Sequence, residues 1–298
     1  MKRVLAKYKN GNYNVILFED GTKIRFNKLD NLTPDFAESI DVTITTKCDK
    51  GCPWCYMNCT MEGKHANLNL PFFDTLHAGQ ELALNGNDLS HPDLETFLLR
   101  MKAKGVICNL TVNQWHFIKY YDRLYNWMEQ GLIYGLGISL TDSTELRNFF
   151  KTYKRHPNMV IHTIDGLLTE EDINNLQDMK ILILGYKVLG RGDHYYDEHK
   201  DDIATRIEWL KKNIMNLAKQ FECVSFDNLS IEHLELNKNF TKEEWEQFYM
   251  GDEGAFTFFV DAVNETYAMS SLEKENNFQI LDNVDDMFKH VRQISRNK

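Results

Sequence analysis

Four of the six cysteines fall within one short stretch, at Cys48, Cys52, Cys55 and Cys59. The first three are spaced C-x3-C-x2-C in Lys47-Cys48-Asp49-Lys50-Gly51-Cys52-Pro53-Trp54-Cys55-Tyr56. In a reducing compartment, clustered thiols point to a metal or to catalysis rather than to disulfides. Three thiolates this close can wrap one corner of a cubane cluster, and Gly51 and Pro53 help the chain turn tightly enough. A [4Fe–4S] cluster ordinarily takes four cysteines, so three leave one iron open to an exchangeable ligand. The competing reading is a zinc site completed by Cys59. Structural zinc usually joins two separated ligand pairs, which four ligands in one stretch do not do. The two-cluster ferredoxin spacing, C-x2-C-x2-C-x3-C, differs as well. Cys59 is therefore read as a bystander thiol. Cys108 and Cys223, isolated in apolar runs, are read as small core residues.

With Trp54 just before its third cysteine, this segment resembles the signature of the radical S-adenosylmethionine (SAM) superfamily. The resemblance implies one [4Fe–4S] cluster on Cys48, Cys52 and Cys55, its open iron chelated by the amino and carboxylate groups of SAM. It implies an external electron donor of the flavodoxin or ferredoxin kind. It also implies reductive cleavage of SAM to a 5′-deoxyadenosyl radical that removes hydrogen from a substrate. Trp54 would lie near the adenine.

Further along, Asn85-Gly86-Asn87-Asp88-Leu89-Ser90-His91-Pro92 resembles the family's Gly-Gly-Glu-Pro-like motif for the SAM amino group, with Asn87 where Glu is expected. An amide oxygen can accept from an ammonium but without the assistance of charge; Asp88 next door is the alternative source of that charge. The same stretch also reads as an ordinary turn rich in Asn and Asp. Asn113, in Thr111-Val112-Asn113, and Ser139, in Ile138-Ser139-Leu140, resemble family strand ends near SAM. Lys187 and Arg191, in the glycine-bearing run 185–192, are candidates for a carboxylate or phosphate, on the substrate or on SAM; the bland reading is a flexible basic loop. Together with Gly63-Lys64-His65 and Phe226-Asp227-Asn228, these stretches are similar to a group of radical SAM proteins of unassigned substrate, some of them phage-encoded.

The elements that must position these residues follow from hydrophobic periodicity and punctuation. Strand-like runs at 41–45, 81–85, 106–112, 133–140, 159–164 and 180–186, with a short seventh at 224–226, alternate with helical runs at 71–78, 94–104, 116–130, 144–153, a helix capped by Thr169 and Asp172, and a stripe of Ile203, Ile207, Leu210, Ile214 and Leu217. Alternation of this kind predicts an α/β fold of parallel βα units, either a barrel or an open doubly wound sheet. The resemblance selects a partial (β/α)6 TIM-like barrel over residues 40–230. A small β-rich N-terminal extension (1–39) precedes it and an α+β C-terminal extension (231–298) packs on it. The cysteine loop directly follows the first strand of the series, where barrels carry their chemistry.

Composition narrows the function. The chain has 298 residues, 43% of them hydrophobic, and a net charge of −10, which makes nucleic acid an unfavoured partner. No apolar run is long enough to span a bilayer, and the basic start lacks the apolar stretch of a signal peptide; the expectation is a cytoplasmic protein without a membrane partner. Only Cys223 follows Cys108, so a second all-cysteine cluster has no ligands. That favours a single-cluster enzyme acting on a small molecule, nucleotide or simple peptide. His65, His91, His116 and His162 each have a bland reading as loop or core residues and are assigned no catalytic role. The reading of a different class is a non-catalytic iron–sulfur or zinc protein, a scaffold or electron carrier.

Overall fold

The structure is a computed structural model that describes residues 2–29, 31–249, 251–273 and 275–295. Strands β1 (Val4–Asn10), β2 (Tyr13–Phe18) and β3 (Lys23–Phe26) form an antiparallel three-stranded sheet of their own. Gly21 in the β2–β3 turn adopts φ +85°, a conformation open to glycine without steric cost. This sheet is fastened to the main body through Glu38, whose carboxylate accepts from Tyr13 Oη at 2.5 Å and Arg25 Nε at 2.8 Å and pairs with Lys23 Nζ at 3.1 Å. Glu38 is buried; its two cations and the tyrosine hydroxyl outweigh the burial and hold its carboxyl below the usual range.

The main body begins with β4 (Ser39–Thr43), β5 (Glu81–Asn87), α1 (Leu94–Ala103), β6 (Ile107–Asn113), α2 (Gln114–Lys119) and α3 (Tyr121–Glu129). It continues through β7 (Gly135–Ser139), α4 (Ser143–Thr152), β8 (Met159–Ile164), α5 (Glu170–Asn175), β9 (Lys180–Leu184), α6 (Arg191–Leu217), β10 (Cys223–Phe226) and α7 (Asn228–His233). Strands β4 to β10 pair in sequence order, all parallel. The tail supplies α8 (Lys242–Phe248), β11 (Thr257–Asp261), β12 (Thr266–Ala268), β13 (Phe278–Gln279) and α9 (Val284–Ser295). β11 pairs parallel with β4, and β12 and β13 follow antiparallel, so the tail extends the same sheet beyond β4. The strand order β10-β9-β8-β7-β6-β5-β4-β11-β12-β13 leaves the sheet open, a partial TIM-like barrel.

Successive residues of a strand face opposite sides of its sheet. On one face Ile40, Val42, Leu82, Leu84, Leu110, Ile138, Ile161 and Ile183 are buried in one continuous core with helix residues such as Phe97, Leu98, Phe117 and Ile214. Burying a side chain of this size contributes about 2 kcal/mol. The other face carries small and polar residues along its strands: Asp41, Ala83, Asn85, Asn87, Thr111, Asn113, Gly137, Ser139 and His162. A concave face so lined leaves room that a packed barrel interior would fill with branched aliphatics.

Local expectations hold where the signal was local. The capping box at Thr169/Asp172 is formed, and the structure shows a second one at Thr241/Glu244. The run at 116–130 is two helices rather than one, because Tyr120 leaves helical geometry (φ −114°, ψ 24°) between α2 and α3. The run at 71–78 is a single 3-10 turn, Pro71–Thr75, since Leu76 is extended. Cys108 is buried as expected, but Cys223 is exposed, because it opens β10, the edge strand of the sheet.

Candidate functional site

The cysteine loop leaves the C-terminal end of β4 and returns upon itself. Cys48 N donates to Thr60 O (2.8 Å), Thr60 N to Thr46 O (3.2 Å), Thr46 N to Lys64 O (2.9 Å) and Ala66 N to Ile44 O (2.9 Å). Inside this closure Cys55 N donates to Cys52 O at 3.2 Å, the turn that brings the second and third cysteines together. Cys48, Cys52 and Cys55 are half-buried and Cys59 is buried.

The sulfurs influence one another. The Cys59 thiol hydrogen-bonds to Cys55, which lowers Cys55 to about 6 with further help from the Arg191 charge, and raises Cys59 itself. Burial raises Cys48 and Cys52, and Cys52 feels the Cys55 charge as well. Among the described residues no three His, Cys, Asp or Glu side chains converge as one metal ion would require. A cubane cluster spreads its thiolates over separate irons, so its ligands need not converge on one point. Three half-buried thiols on one closed loop are a donor set that fits such a group. Two sulfurs also meet amides from the concave face: Asn113 Nδ2 lies 3.7 Å from Cys48 Sγ, and Asn87 Nδ2 lies 3.4 Å from Cys59 Sγ.

Those amides belong to a bracket of asparagines at the ends of β5 and β6. Asn85 Oδ1 accepts from Ile44 N at 2.6 Å, and its Nδ2 donates to Thr45 O at 2.7 Å. Asn87, at φ +45°, donates to Thr45 O (3.1 Å) and Lys47 O (3.2 Å). The Asn87 side chain is thus committed through its N–H groups to the loop that carries the cysteines. Asp88 accepts from Ser90 N and Oγ, closing the turn before α1. Gly86 is required by closeness: a Cβ there would lie 2.9 Å from Leu110 Cδ1 and 3.1 Å from Thr111 O. Asn113 caps α2, accepting from His116 N at 3.0 Å, and donates to Asn87 O at 3.2 Å. Ser139 ends β7 in register with Asn113 on one side and His162 on the other.

The opposite flank of the loop is held by α6. Arg191 N donates to Cys55 O (3.1 Å), its Nε to Cys52 O (3.0 Å), and its Nη1 to Cys59 O (2.9 Å) and Asn58 Oδ1 (3.3 Å). The flanking glycines make this approach possible. A Cβ on Gly190 would meet Tyr56 O at 2.6 Å, and one on Gly192 would meet Lys187 O at 2.7 Å and Trp54 O at 3.2 Å. Arg191, a candidate for a carboxylate or phosphate, is the first residue of α6 and grips the cysteine loop's own backbone. Lys187 donates to Ser271 Oγ at 2.9 Å and lies 4.3 Å over the Tyr56 ring, so it joins the loop to the tail. Trp54 packs edge-on against Tyr195 of α6, 5.7 Å between centroids.

Of the residues singled out from the sequence, Cys48, Asn87 and Asn113 are in contact around the strand ends, with Gly86 and Ser139 beside them. Trp54 and Lys187 lie on the α6 flank. Sequence reasoning did not foresee the bracing by Asn85, the grip of Arg191, or the role of His116, whose Nε2 lies 3.0 Å from Asp49 Oδ1. For His116 a signal existed, since Asn113 stands three residues before it in the capping position. His65 and His91 also flank the loop: His65 Nδ1 meets Thr45 Oγ1 at 2.9 Å, and His91 Nε2 donates to Ala66 O at 3.1 Å while its Nδ1 accepts from Asp93 N. His162 lies on the concave face against Gly137, and burial pulls it down to about 4.

No protein-family model matches the sequence, and no curated protein matches it. The architecture is an open parallel sheet, a partial TIM-like barrel, with the cysteine loop after the first strand of its parallel series. The solved structures similar to it include SuiB of Streptococcus suis. The complex of SuiB with its precursor peptide SuiA superposes with a TM-score of 0.57 at 13% identity, over 89% of this chain and 68% of SuiB. The complex of SuiB with S-adenosylmethionine gives a TM-score of 0.51 at 13% identity, over 87% and 68%. At this identity the likeness establishes the fold, which is the one that the cysteine motif implied. Among the described residues no helix is long and apolar enough to cross a membrane.

Proposed function

We propose that this chain is a radical SAM enzyme, with one [4Fe–4S] cluster held by Cys48, Cys52 and Cys55 and SAM seated on the concave face beside Gly86, Asn87, Asn113 and Ser139. The observation that carries the reading is the coincidence of motif and place: a C-x3-C-x2-C loop after the first strand of an open parallel sheet, with the Cys48 sulfur facing the Asn113 amide at the end of β6. When bound, such a cluster supplies the electron that splits SAM into methionine and a 5′-deoxyadenosyl radical, which abstracts hydrogen from the substrate.

The chain's own residues hold and shape the site. Arg191 and the asparagine bracket fix the loop backbone, so that the thiols need little reorganisation to bind. Asn113 offers an N–H to Cys48, and hydrogen bonds to sulfur are one lever on cluster potential. Trp54 flanks the loop where an adenine would stack, and Lys187 stands beside it. Asp41 is exposed on the concave face, within reach of the Lys187 charge. It lines a cavity of about 380 Å³ with Lys187, Asp227 and Phe256, a place for the substrate. SuiB's complex with a precursor peptide supports a peptide among the substrate classes open to this fold; small molecules and nucleotides are the others. The reduced thiols suit a cytoplasmic setting, with a flavodoxin- or ferredoxin-like protein as electron donor.

The test is anaerobic reconstitution with iron and sulfide, then reduction in the presence of SAM and an assay for 5′-deoxyadenosine. Wild type is expected to bind about four irons and release deoxyadenosine, and Cys52→Ala to do neither. Cluster uptake that is equal in the two proteins would sink the reading, and a cluster with no response to SAM by electron paramagnetic resonance would favour an electron carrier instead.

A further inference from the structure

The hydrogen-bond pattern around His116 fixes more than its position. The ring is 2% exposed, at the first turn of α2. Nε2 faces Asp49 Oδ1 at 3.0 Å and Nδ1 faces Asn113 Oδ1 at 2.9 Å. The orientation of the Asn113 amide is settled by two main-chain partners. Its Oδ1 accepts from His116 N, a group that can only donate, and its Nδ2 donates to Asn87 O, a group that can only accept. A carboxylate likewise only accepts. Both ring nitrogens of His116 therefore face acceptors, and an imidazole satisfies two acceptors only when both nitrogens carry protons. Tyr120 stacks on the ring at 6.1 Å and Trp115 meets it edge-on at 5.3 Å, and Lys50, next to Asp49, lies 5.6 Å over Trp115. Residues 49 and 50 of the cysteine loop thus dock together on the start of α2.

We propose that His116 is a positioning residue, held as an imidazolium that clasps Asp49 of the cysteine loop to Asn113 at the end of β6 and thereby aims the Asn113 amide at Cys48. The Nδ1–H fixes Asn113 Oδ1, which leaves Nδ2 directed toward Cys48 Sγ at 3.7 Å. With a neutral ring, one of the two contacts would set acceptor against acceptor. Either the loop would let go of α2 at Asp49, or the amide would turn and present its oxygen to the sulfur. The proposal rests on the function above only where it touches the cluster; the clasp itself belongs to the polypeptide.

Nitrogen-15 NMR of histidine-labelled protein without iron tests it directly, the His116 signals being assigned by their loss in His116→Gln. At pH 7 both ring nitrogens of His116 are expected to be protonated, and Asp49→Leu is expected to leave the ring with one bare nitrogen. A neutral His116 in wild type overturns the clasp. In protein loaded with its cluster, redox titration is expected to show a lower midpoint potential in His116→Ala and Asp49→Leu, because an N–H to a ligand sulfur is lost, and a potential near wild type in Asp49→Glu. Equal potentials in all four proteins would also overturn it. A chain that takes up no cluster would leave the NMR result standing and count against the proposed function instead.

Discussion

The guanidinium of Arg191 donates to the carbonyl oxygens of Cys52 and Cys59, so one side chain ties the first residue of α6 to both ends of the loop's cysteine-bearing arm. Both of these contacts are to the loop's backbone.

Arg191→Lys keeps a charge but loses the planar fork that reaches two carbonyls at once. A cost of about 2 kcal/mol is expected from hydrogen bonds of this charged kind. Iron bound after reconstitution should fall by half or more, with the melting temperature lowered in the iron-free protein. Full iron content in the lysine variant would show that the loop is held adequately without the fork.

Gly190→Ala should be worse than the same change at Gly21. Both glycines have positive φ, but a methyl at Gly190 meets Tyr56 O at 2.6 Å whereas nothing lies within 4 Å at Gly21. Gly21→Ala is expected to cost about 1 kcal/mol for the left-handed backbone alone, and Gly190→Ala at least twice that, read by chemical denaturation. Similar losses at the two sites would mean that α6 can retreat from the loop cheaply.

Asn87→Glu introduces the residue type that the sequence resemblance led us to expect and tests what Asn87 does here. Its side chain would lose the N–H donors and set a carboxylate against Thr45 O and Lys47 O. A destabilisation of about 1–3 kcal/mol is expected for a carboxylate set against two carbonyl oxygens, of which Thr45 O keeps its Asn85 donor and Lys47 O loses this one, together with poorer iron retention. A stable variant that binds SAM more tightly would point the other way, to a ligand contact rather than a brace.

Cys59→Ser should retain most of the iron, and Cys48→Ala and Cys55→Ala should lose it, in parallel reconstitutions followed by absorbance and iron assay. Iron loss in Cys59→Ser equal to that in the alanine variants would make Cys59 a ligand.

His162 makes the fold acid-sensitive. Burial holds it to about 4, below its ordinary 6.5, so the unfolded chain takes up a proton that the folded chain refuses. The unfolded state binds more protons across this window, so stability is complete above about pH 6.5 and falls as pH drops toward 4. A loss of order 2 kcal/mol is expected over that range. In His162→Asn the difference in melting temperature between pH 7.5 and pH 5 should shrink; an unchanged difference would place the sensitivity elsewhere.

The sequence by itself determined what is local. Cysteine spacing, the Thr169 capping box and the βα alternation are short-range features, and the box and the alternation are both present in the structure. Tertiary structure decided what depends on residues far apart in the chain. Arg191 reaches Cys52 across 139 positions, Asn113 meets Cys48 across 65, and β11 returns to pair with β4. Arg191 looked available for an anion because a sequence shows charge and flexibility but not the carbonyls that the fold brings within 3 Å of it. The cysteine spacing marked the loop; which side chains hold it in place followed only from how the strands and α6 close around it.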